Sequence, residues 1–381
     1  MSIRIGIIGS RGIPNHYGGF ERLAEQLSRG LVNKGHEVCV YNSHNHPYVE
    51  NTWRGVNIIH CYDPEHLIGC SGQFIYDLNC MLDARSRKFD IILILGYTSS
   101  SIWTRLLPRS STIIYHMDGL EWQRSKYSHN TRKFLLYAEK LAVRLSDFHI
   151  SDSPPIQSYY LDKYNLSTEY IAYGSELFTE VNEEVLKNYE LTPDSYLMLI
   201  ARIEPENNIE MILQGFSLSN TEQQLLVVGN IENNFGKYLT KKFGCDKRIR
   251  FIGSLYDDKI THTLRHYSHL YFHGHSSGGT NPSLLEAMAS SCLIAAHDNV
   301  FNRTVLEKEA FYFSSAQDIK QLIEHKCHPE TRTRMVSVNL KKITTKYNWE
   351  EIIDHYERYM LQCRYIHSNE RNLLSKEYSC E

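Results

Sequence analysis

Short apolar runs alternate along this chain with longer segments whose apolar residues recur at helical spacing. Most of these runs are continuous, which is typical of strands that are covered on both faces. They form two series, and we expect strands at 4–9, 37–42, 56–61, 90–96, 112–116, 148–151 and 169–172, then at 196–201, 225–229, 250–253, 270–273, 293–296 and 311–313. This order predicts two α/β domains, each built on a parallel sheet flanked by helices.

A polar and acidic stretch at 175–195 separates the two series of runs and ends in a Pro-Asp turn signal. We therefore predict an N-terminal domain at 1–178 and a C-terminal domain at 179–347. The tail at 348–381 places apolar side chains at helical spacing, which predicts an amphipathic helix packed against the body. Ligands of doubly wound domains bind at the carboxyl ends of the strands, so we expect function in the loops that follow them.

Composition excludes several classes of protein. The 381 residues include 41 basic and 44 acidic side chains, a formal charge of −3 that gives no field to attract nucleic acid. Nine cysteines stand singly, without a CxxC pair, which favours free thiols in a reducing compartment. The first residues lead directly into an apolar run, and no run approaches the roughly 20 residues of a membrane span. We predict a cytoplasmic protein.

The loop after the first run contains four glycines, with Gly18 and Gly19 directly before a helical segment. Such glycines let backbone N–H groups approach a phosphate at the positive end of a helix. The alternative is a loop that merely requires positive φ angles. The second strand ends in Tyr41-Asn42-Ser43 and lacks the acidic residue that binds an adenosine ribose, which argues against an NAD enzyme.

Two further strand ends carry candidate chemistry. His116 and Asp118 follow the fifth run, where they can act as proton donor, proton acceptor or hydroxyl-binding groups. A purely structural histidine is the alternative. Arg202 follows the first strand of the second series and suits bidentate contact with phosphate oxygens. Its alternative is an ion pair with Glu204 or Glu206.

The most informative loop follows the strand at 270–273 and leads into a helix that Asn281 is expected to cap, with Pro282 at its first position. Amides at this helix end can hold a diphosphate, and Glu286 can accept hydrogen bonds from two vicinal ribose hydroxyls. The alternative for Glu286 is a pairing with a neighbouring domain. The pairs His44/His46 and His273/His275 lack a third ligand at zinc spacing, so we predict no metal site.

Three motifs in this order, RGIP followed by YGGFE at 11–21, MDGLEW at 117–122 and GGTNPSLLEAM at 278–288, resemble glycosyltransferase family 4 along nearly the whole chain. Within that family they resemble a bacterial subgroup labelled rhamnosyltransferases. The resemblance implies an α/β protein of the GT-B fold, with two Rossmann-like doubly wound domains facing each other across a cleft. It also implies a retaining hexosyltransferase that needs no metal or other cofactor and uses a nucleotide-diphosphate sugar as donor.

Site residues follow from the same resemblance, position by position. Glu286 matches the glutamate on the donor ribose, Arg202 the arginine on the diphosphate, and His116 the histidine near the reacting sugar. Gly18 and Gly19 match the glycine loop beside the phosphates, and the tail matches a helix that crosses back to the N-terminal domain. The expected donor-binding set is completed by the third motif: Gly278, Gly279, Thr280, Asn281, Ser283 and Leu284.

Two positions depart from the family pattern. Gly278 stands where the family has the first of two glutamates, and Asn207 stands where it has a basic residue, usually Lys. A sugar pocket of a different shape is therefore expected, and a 6-deoxy sugar such as rhamnose, which lacks the O6 hydroxyl, is compatible with one. With the lysine absent, the diphosphate charge is expected to be offset by Arg202, helix amides and Arg11.

The resulting expectation is a transferase in bacterial surface polysaccharide synthesis, with a dTDP-, UDP- or GDP-linked donor and a glycan or lipid-linked acceptor. The stretch at 121–133 carries a net charge of +3 and can contact anionic headgroups at the inner face of the plasma membrane, although a solvated helix face is the alternative. Two other functions stay open: a nucleotide-sugar 2-epimerase of GT-B architecture, and a non-catalytic nucleotide-sugar-binding protein.

Overall fold

The computed structural model describes residues 2–16, 18–117, 119–124, 127–276 and 278–378, with side chains up to residue 371. These residues group into two compact units. The first unit lies within Met1–Trp122, Tyr127–Tyr173 and Trp349–Glu381, and the second within Gln123–Lys126 and Gly174–Asn348. The predicted α/β class with two Rossmann-like units is confirmed, because each unit contains its own largely parallel sheet with helices between the strands.

The sheet of the first unit has the strand order β3-β4-β2-β1-β5-β6-β7-β8. Its strands are β1 (Arg4–Ile8), β2 (Glu37–Ser43), β3 (Thr52–Trp53), β4 (Val56–Cys61), β5 (Ile91–Leu95), β6 (Thr112–Met117), β7 (Phe148–Ser151) and β8 (Glu169–Tyr170). All neighbours pair in parallel except β3 and β4. The sequence analysis missed β3, since two residues are too few to show a pattern and a tight turn at Arg54 and Gly55, both with positive φ, folds it onto β4.

Helices of the first unit occupy the connections between these strands. They are α1 (Gly19–Asn33), α2 (Glu65–Ile68), α3 (Gly72–Ala84), α4 (His129–Leu145) and α5 (Pro154–Tyr164). Short 3-10 helices lie at Gly69–Ser71, Ser101–Leu106 and Glu121–Gln123. All five side chains of β5 are buried, as expected for a strand that helices cover on both faces.

The second unit has a six-stranded, fully parallel sheet in the order β11-β10-β9-β12-β13-β14. Its strands are β9 (Tyr196–Ile200), β10 (Gln224–Val228), β11 (Ile249–Gly253), β12 (Leu270–His273), β13 (Ile294–His297) and β14 (Phe311–Phe313). Its helices are α6 (Glu184–Lys187), α7 (Ile209–Leu218), α8 (Asn234–Phe243), α9 (Asp258–His266), α10 (Pro282–Ala289), α11 (Val300–Leu306), α12 (Ala316–Glu324) and α13 (Pro329–Thr345), with a 3-10 helix at Pro205–Asn207. The strand order reverses between β9 and β12, the point at which such sheets bind ligands.

The final helix, α14 (Trp349–Tyr378), belongs to the first unit. Its apolar face packs on α1 so closely that a Cβ atom at Gly30 would lie 2.5 Å from the Cδ1 atom of Ile353. Lys34 pairs with Asp354 at 2.6 Å, and Arg364 pairs with Asp90 at 2.7 Å. Across the described part of the chain, no helix is both long and apolar enough to cross a bilayer.

Candidate functional site

The loops after β9 and β12 are joined at the strand-order reversal of the second unit. The Nδ2 atom of Asn208 donates a hydrogen bond to the Gly274 carbonyl at 2.8 Å, and Ser276 Oγ donates to the Glu206 carbonyl at 2.7 Å. A Cβ atom at Gly274 would lie 2.1 Å from the Asn207 carbonyl oxygen, so only glycine permits this approach. The two loops therefore form one continuous surface at the edge of the sheet.

Arg202 lies at the start of this surface, directly after β9. Its side chain is exposed and forms no ion pair with Glu204 or Glu206, so the alternative raised from the sequence is not observed. Its backbone is held instead: the Nδ2 atom of Asn207 donates to the Arg202 carbonyl at 2.7 Å. Asn207, which replaces the family's basic residue, thus shapes the loop and leaves the guanidinium of Arg202 available to an anion.

The helix α10 begins as the sequence predicts. The side chain of Asn281 caps the helix by accepting a hydrogen bond from the Ser283 N–H at 2.9 Å, and Pro282 is the first helical residue. The Asn281 carbonyl also accepts the N–H of Leu284 at 3.0 Å. The first-turn amides expected to hold a diphosphate are therefore already bonded, and Leu284 is 1% exposed, so its side chain belongs to the core.

Glu286 lies on α10 with its side chain 31% exposed. Its Oε2 atom is 2.9 Å from Nη2 of Arg265, a residue of α9 whose side chain is only 2% exposed. The partner of Glu286 is thus in the same unit, which corrects the expected alternative of a pairing with a neighbouring domain. Burial acts to lower the pKa of Arg265, but Glu286 and Tyr271 raise it above its usual range, so the guanidinium stays charged.

Two histidines stack below the glycine loop of the third motif. The rings of His273 and His275 lie 4.5 Å apart at an interplanar angle of 16°. Burial lowers the pKa of His275 to about 3, with further lowering by Arg202, and lowers that of His273 well below its ordinary value. Both imidazoles are therefore neutral near pH 7 and add no positive charge to this surface.

The glycine loop of the first unit is held by its own side chains. Gly9 and Gly12 have φ angles of +98° and +130°, so the loop does require positive φ at these two positions, and phosphate binding at this loop stays a prediction. The Asn42 side chain lies against Gly12, accepts from the Ile13 N–H at 3.0 Å and donates to the Ile13 carbonyl at 2.8 Å. Gly18 is extended and precedes α1, which begins at Gly19.

Arg11, expected to offset diphosphate charge, has partners within the first unit. Its guanidinium pairs with Glu65 at 2.8 Å, and its backbone N–H donates to Glu21 Oε1 at 2.7 Å. Each of these carboxylates is supplied by a helix that follows a strand of the same sheet. The positive charge of Arg11 is thus balanced inside the unit.

His116 is the next-to-last residue of β6 and is completely buried. Its ring lies edge-on between Phe20, at 5.6 Å, and Tyr173, at 5.8 Å between ring centroids. Neither ring nitrogen has a hydrogen-bond partner among the described residues. Burial lowers the pKa of His116 to about 4, so this imidazole is also neutral near pH 7. Asp118 lies outside the described residues.

The basic stretch at 121–133 does not form one helical face. A 3-10 helix covers Glu121–Gln123, and α4 begins only at His129. Arg124 belongs to the second unit and pairs with Glu206 at 3.4 Å. Lys126 lies outside the described residues, so Arg132 and Lys133 on α4 are the described basic side chains of this stretch that belong to the first unit.

Comparison with family models assigns both halves of the chain. Residues 182–337 match the model described as "Glycosyl transferases group 1". The chain carries a glycosyltransferase group 1 domain. Arg202, Arg265 and Glu286 all lie in this group 1 domain, and residues 3–176 match a domain of unknown function (DUF1972). A search of curated protein sequences returned no match.

Solved structures similar to the whole chain have the GT-B fold of glycosyltransferases. Sucrose-phosphate synthase from Thermosynechococcus elongatus has a TM-score of 0.78 at 16% identity, with 94% of this chain and 98% of that chain covered. HepE from Anabaena in complex with UDP-glucose has a TM-score of 0.74 at 13% identity, covering 94% and 100%. A glycosyltransferase from Rickettsia africae has a TM-score of 0.70 at 12% identity, covering 95% and 98%. The fold of this chain, with its group 1 domain, is therefore GT-B.

One residue of this arrangement was missed by the sequence analysis. In the sequence, Arg265 resembles an ordinary basic residue in the last turn of a helix, where an exposed positive charge interacts favourably with the helix dipole. The sequence does not distinguish it from a solvated arginine, because its burial among the side chains of α9 appears only in the fold.

Proposed function

We propose that this chain is a retaining, metal-independent hexosyltransferase, with rhamnose as the first candidate sugar and a glycan or lipid-linked glycan as acceptor. The observation that carries the proposal is the presence of both Arg202 and Glu286 in a group 1 domain. Arg202, after β9, offers a guanidinium without an ion-pair partner among the described residues, and Glu286 on α10 offers a carboxylate that is 31% exposed. A nucleotide-diphosphate sugar has the matching groups, an anionic diphosphate and ribose hydroxyls.

The diphosphate is proposed to bind Arg202 and the backbone of the glycine loop. Because Asn281 bonds the N–H groups of Ser283 and Leu284, the amides of Gly278 and Gly279 are the better candidates for phosphate contacts. Gly278 has a φ angle of +115°, and no atom of the described residues beyond its chain neighbours lies within 4 Å of the position a Cβ atom would take. This loop therefore offers backbone donors in an open space.

Transfer with retention is proposed to proceed on one face of the donor sugar. The bond between the sugar C1 and the diphosphate oxygen breaks as the bond between C1 and the acceptor oxygen forms. The acceptor proton passes to the leaving diphosphate oxygen, whose charge Arg202 stabilises. The acceptor is proposed to bind to the first unit, near the neutral and buried ring of His116.

The class of donor has separate support. HepE, which shares the fold, was solved in complex with UDP-glucose, which supports a nucleotide-sugar donor for this chain as well. We propose a UDP-, GDP- or dTDP-linked donor and a role in bacterial surface polysaccharide synthesis. Arg132 and Lys133 on α4 are proposed to contact anionic lipid at the cytoplasmic face of the membrane, bringing a lipid-linked acceptor within reach.

A binding panel followed by a transfer assay tests this proposal. Thermal shift with UDP, GDP and dTDP, and then with their sugars, identifies the nucleotide, since a bound ligand stabilises the folded state. The selected donor is then incubated with and without glycan acceptors, and products are identified by mass and by the anomeric coupling in NMR spectra. We expect an acceptor-dependent product of unchanged anomeric configuration. Conversion of the donor alone would indicate the epimerase, and binding without any turnover would indicate the non-catalytic protein.

A further inference from the structure

Arg265 is a charged side chain in the interior of the second unit that the proposed function does not use. It is 2% exposed, and Nη2 lies 2.9 Å from Glu286 Oε2 and 3.1 Å from Ser283 Oγ. The guanidinium carbon lies 5.6 Å from the centroid of the Tyr271 ring on β12. Burying a guanidinium carries a large desolvation cost, so this position calls for a reason beyond packing.

The pair of Arg265 and Glu286 is asymmetric. The arginine is in the core, whereas 31% of the glutamate side chain is exposed. The nearest atoms of the pair are Nη2 of Arg265 and Oε2 of Glu286, and the carboxylate has no other ion-pair partner among the described residues. A buried ion pair often contributes little net stability, because the desolvation cost offsets the attraction. Here a buried cation is joined to a carboxylate that solvent and ligands can still reach.

The geometry of α10 explains what this contact fixes. Ser283 and Glu286 are three residues apart, so they share one face of the helix. Arg265 donates a hydrogen bond to Ser283 Oγ and forms an ion pair with Glu286. The Tyr271 hydroxyl lies 3.3 Å from Ser283 Oγ and 3.4 Å from the Ile200 carbonyl at the end of β9. A glutamate on a helix otherwise samples several rotamers. The arginine restricts Glu286 to the rotamer whose Oε2 it holds.

We propose that Arg265 is a positioning residue that presents the Glu286 carboxylate to the ribose of the nucleotide. The inference rests on the proposed function and extends it by a second consequence: a fixed carboxylate distinguishes ribose from 2′-deoxyribose. A carboxylate held in one rotamer meets the 2′-hydroxyl at a defined place, whereas a mobile one gains little from it, because ordering it offsets the hydrogen bond. The site therefore favours ribonucleotide donors, UDP or GDP, over dTDP.

The test measures dissociation constants for UDP against 2′-deoxy-UDP and for GDP against 2′-deoxy-GDP, since each pair differs only in the 2′-hydroxyl. For the wild type we expect the better-bound pair to favour the ribonucleotide about tenfold, the scale of one hydrogen bond to a charged group. In Arg265→Met the ratio is expected to fall to about two or less, and Arg265→Lys is expected to restore part of it. The double variant with Glu286→Gln is expected to bind no worse than Glu286→Gln alone.

A matched control separates positioning from a loss of structure. Arg250 lies on β11 of the same unit, where it donates to the Tyr189 carbonyl at 2.6 Å and to Gln224 at 2.9 Å. Arg250→Met is expected to lower the melting temperature without changing the ribose preference. A ratio in Arg265→Met equal to that of the wild type would overturn the inference, as would binding of dTDP with neither ribonucleotide bound. If no nucleotide of any kind binds, the proposed function fails instead.

Discussion

The loops after β1 and β9 lie at equivalent places in the two sheets, and their charges are paired differently. In the first loop, Arg11 bonds to Glu65 of α2, and Asn42 of β2 bonds both backbone groups of Ile13. In the second, Arg202 has no ion-pair partner among the described residues, and the side chain of Glu286 on the nearby α10 is 31% exposed. The charge of the first loop is balanced within its unit, whereas the charge of the second is available to a ligand.

This difference shows that strand topology determines where a site lies, whereas the pairing of its charges determines what it can bind. Strand topology predicts a ligand at both loops, because both follow strands next to the reversal of strand order. Internal pairing of charge then decides which loop can bind an anion, since a guanidinium already bonded to a carboxylate has little left to offer a phosphate. On this ground we propose that the donor diphosphate binds to the second unit.

Removing the arginine of each loop is the most stringent test of this difference. Arg202→Ala is expected to cost about 2 to 4 kcal/mol of transition-state stabilisation, the scale of one charge-stabilising donor. Arg11→Ala, its matched control, is expected to leave kcat/KM nearly unchanged, because its guanidinium is paired with Glu65 within the first unit. Both are measured as kcat/KM with the donor and acceptor found in the transfer assay. Near-normal turnover in the Arg202 variant would remove this residue from the mechanism.

Replacing Asn42 tests whether this side chain of β2 holds the first loop in place. Asn42→Leu leaves the N–H and carbonyl of Ile13 without their partner in a buried position, so we expect the free energy of unfolding to fall by about 2 to 3 kcal/mol. Asn45→Ala, an exposed neighbour, is expected to change it by about 0.5 kcal/mol. Urea unfolding measures both. Nucleotide affinity of folded Asn42→Leu should equal that of the wild type, and a marked loss would place a phosphate at the first loop.

The comparison of the two loops counts only arginines as cations. It therefore also requires that the buried imidazoles carry no charge near neutral pH. Because the pKa of His116 is lowered to about 4 in the folded state, the unfolded chain takes up the proton first as the pH falls below about 6.5. The contribution of His116 to the free energy of unfolding is therefore fully present above pH 6.5 and declines toward pH 4. About 2 kcal/mol of it is lost by pH 5.

The variant His116→Phe keeps an aromatic ring between Phe20 and Tyr173 but cannot titrate. We expect its free energy of unfolding to fall less between pH 8 and pH 5 than that of the wild type, by about 2 kcal/mol. Urea unfolding at the two pH values measures the difference. An identical pH dependence in both proteins would show that this imidazole is charged or hydrated in the folded state.

The smallest expected effect concerns the cap of α10. Asn281→Ala removes the bond to the Ser283 N–H and is expected to lower the free energy of unfolding by about 1 kcal/mol. Ser315→Ala, which removes the cap of α12 in the same unit, is expected to cost a similar amount. Only Asn281→Ala should reduce the rise in melting temperature that a nucleotide produces. An equal rise in both variants would show that the Asn281 cap does not contribute to nucleotide binding.

Most strands and helix ends could be predicted from local sequence. The ion-pair partners could not, because they depend on contacts between distant parts of the chain. Continuous apolar runs predicted every strand except β3, whose two residues depend on the turn at Arg54 and Gly55. The cap at Asn281 was predictable because it joins neighbouring residues. The partners of Arg11 and Glu286 were not, since Glu65 and Arg265 are brought to them by the packing of separate helices.

The return of α14 to the first unit has a consequence for the order in which the chain is made. The first unit needs both the earliest and the latest residues, and Gly174–Asn348 are synthesised between them. At about 5 to 20 residues per second, the ribosome takes roughly 10 to 35 s over that insertion. During this time the surface of α1 around Gly30 waits uncovered for Ile353. The first unit to emerge is thus the last to be completed, because its sheet is present long before the helix that covers α1.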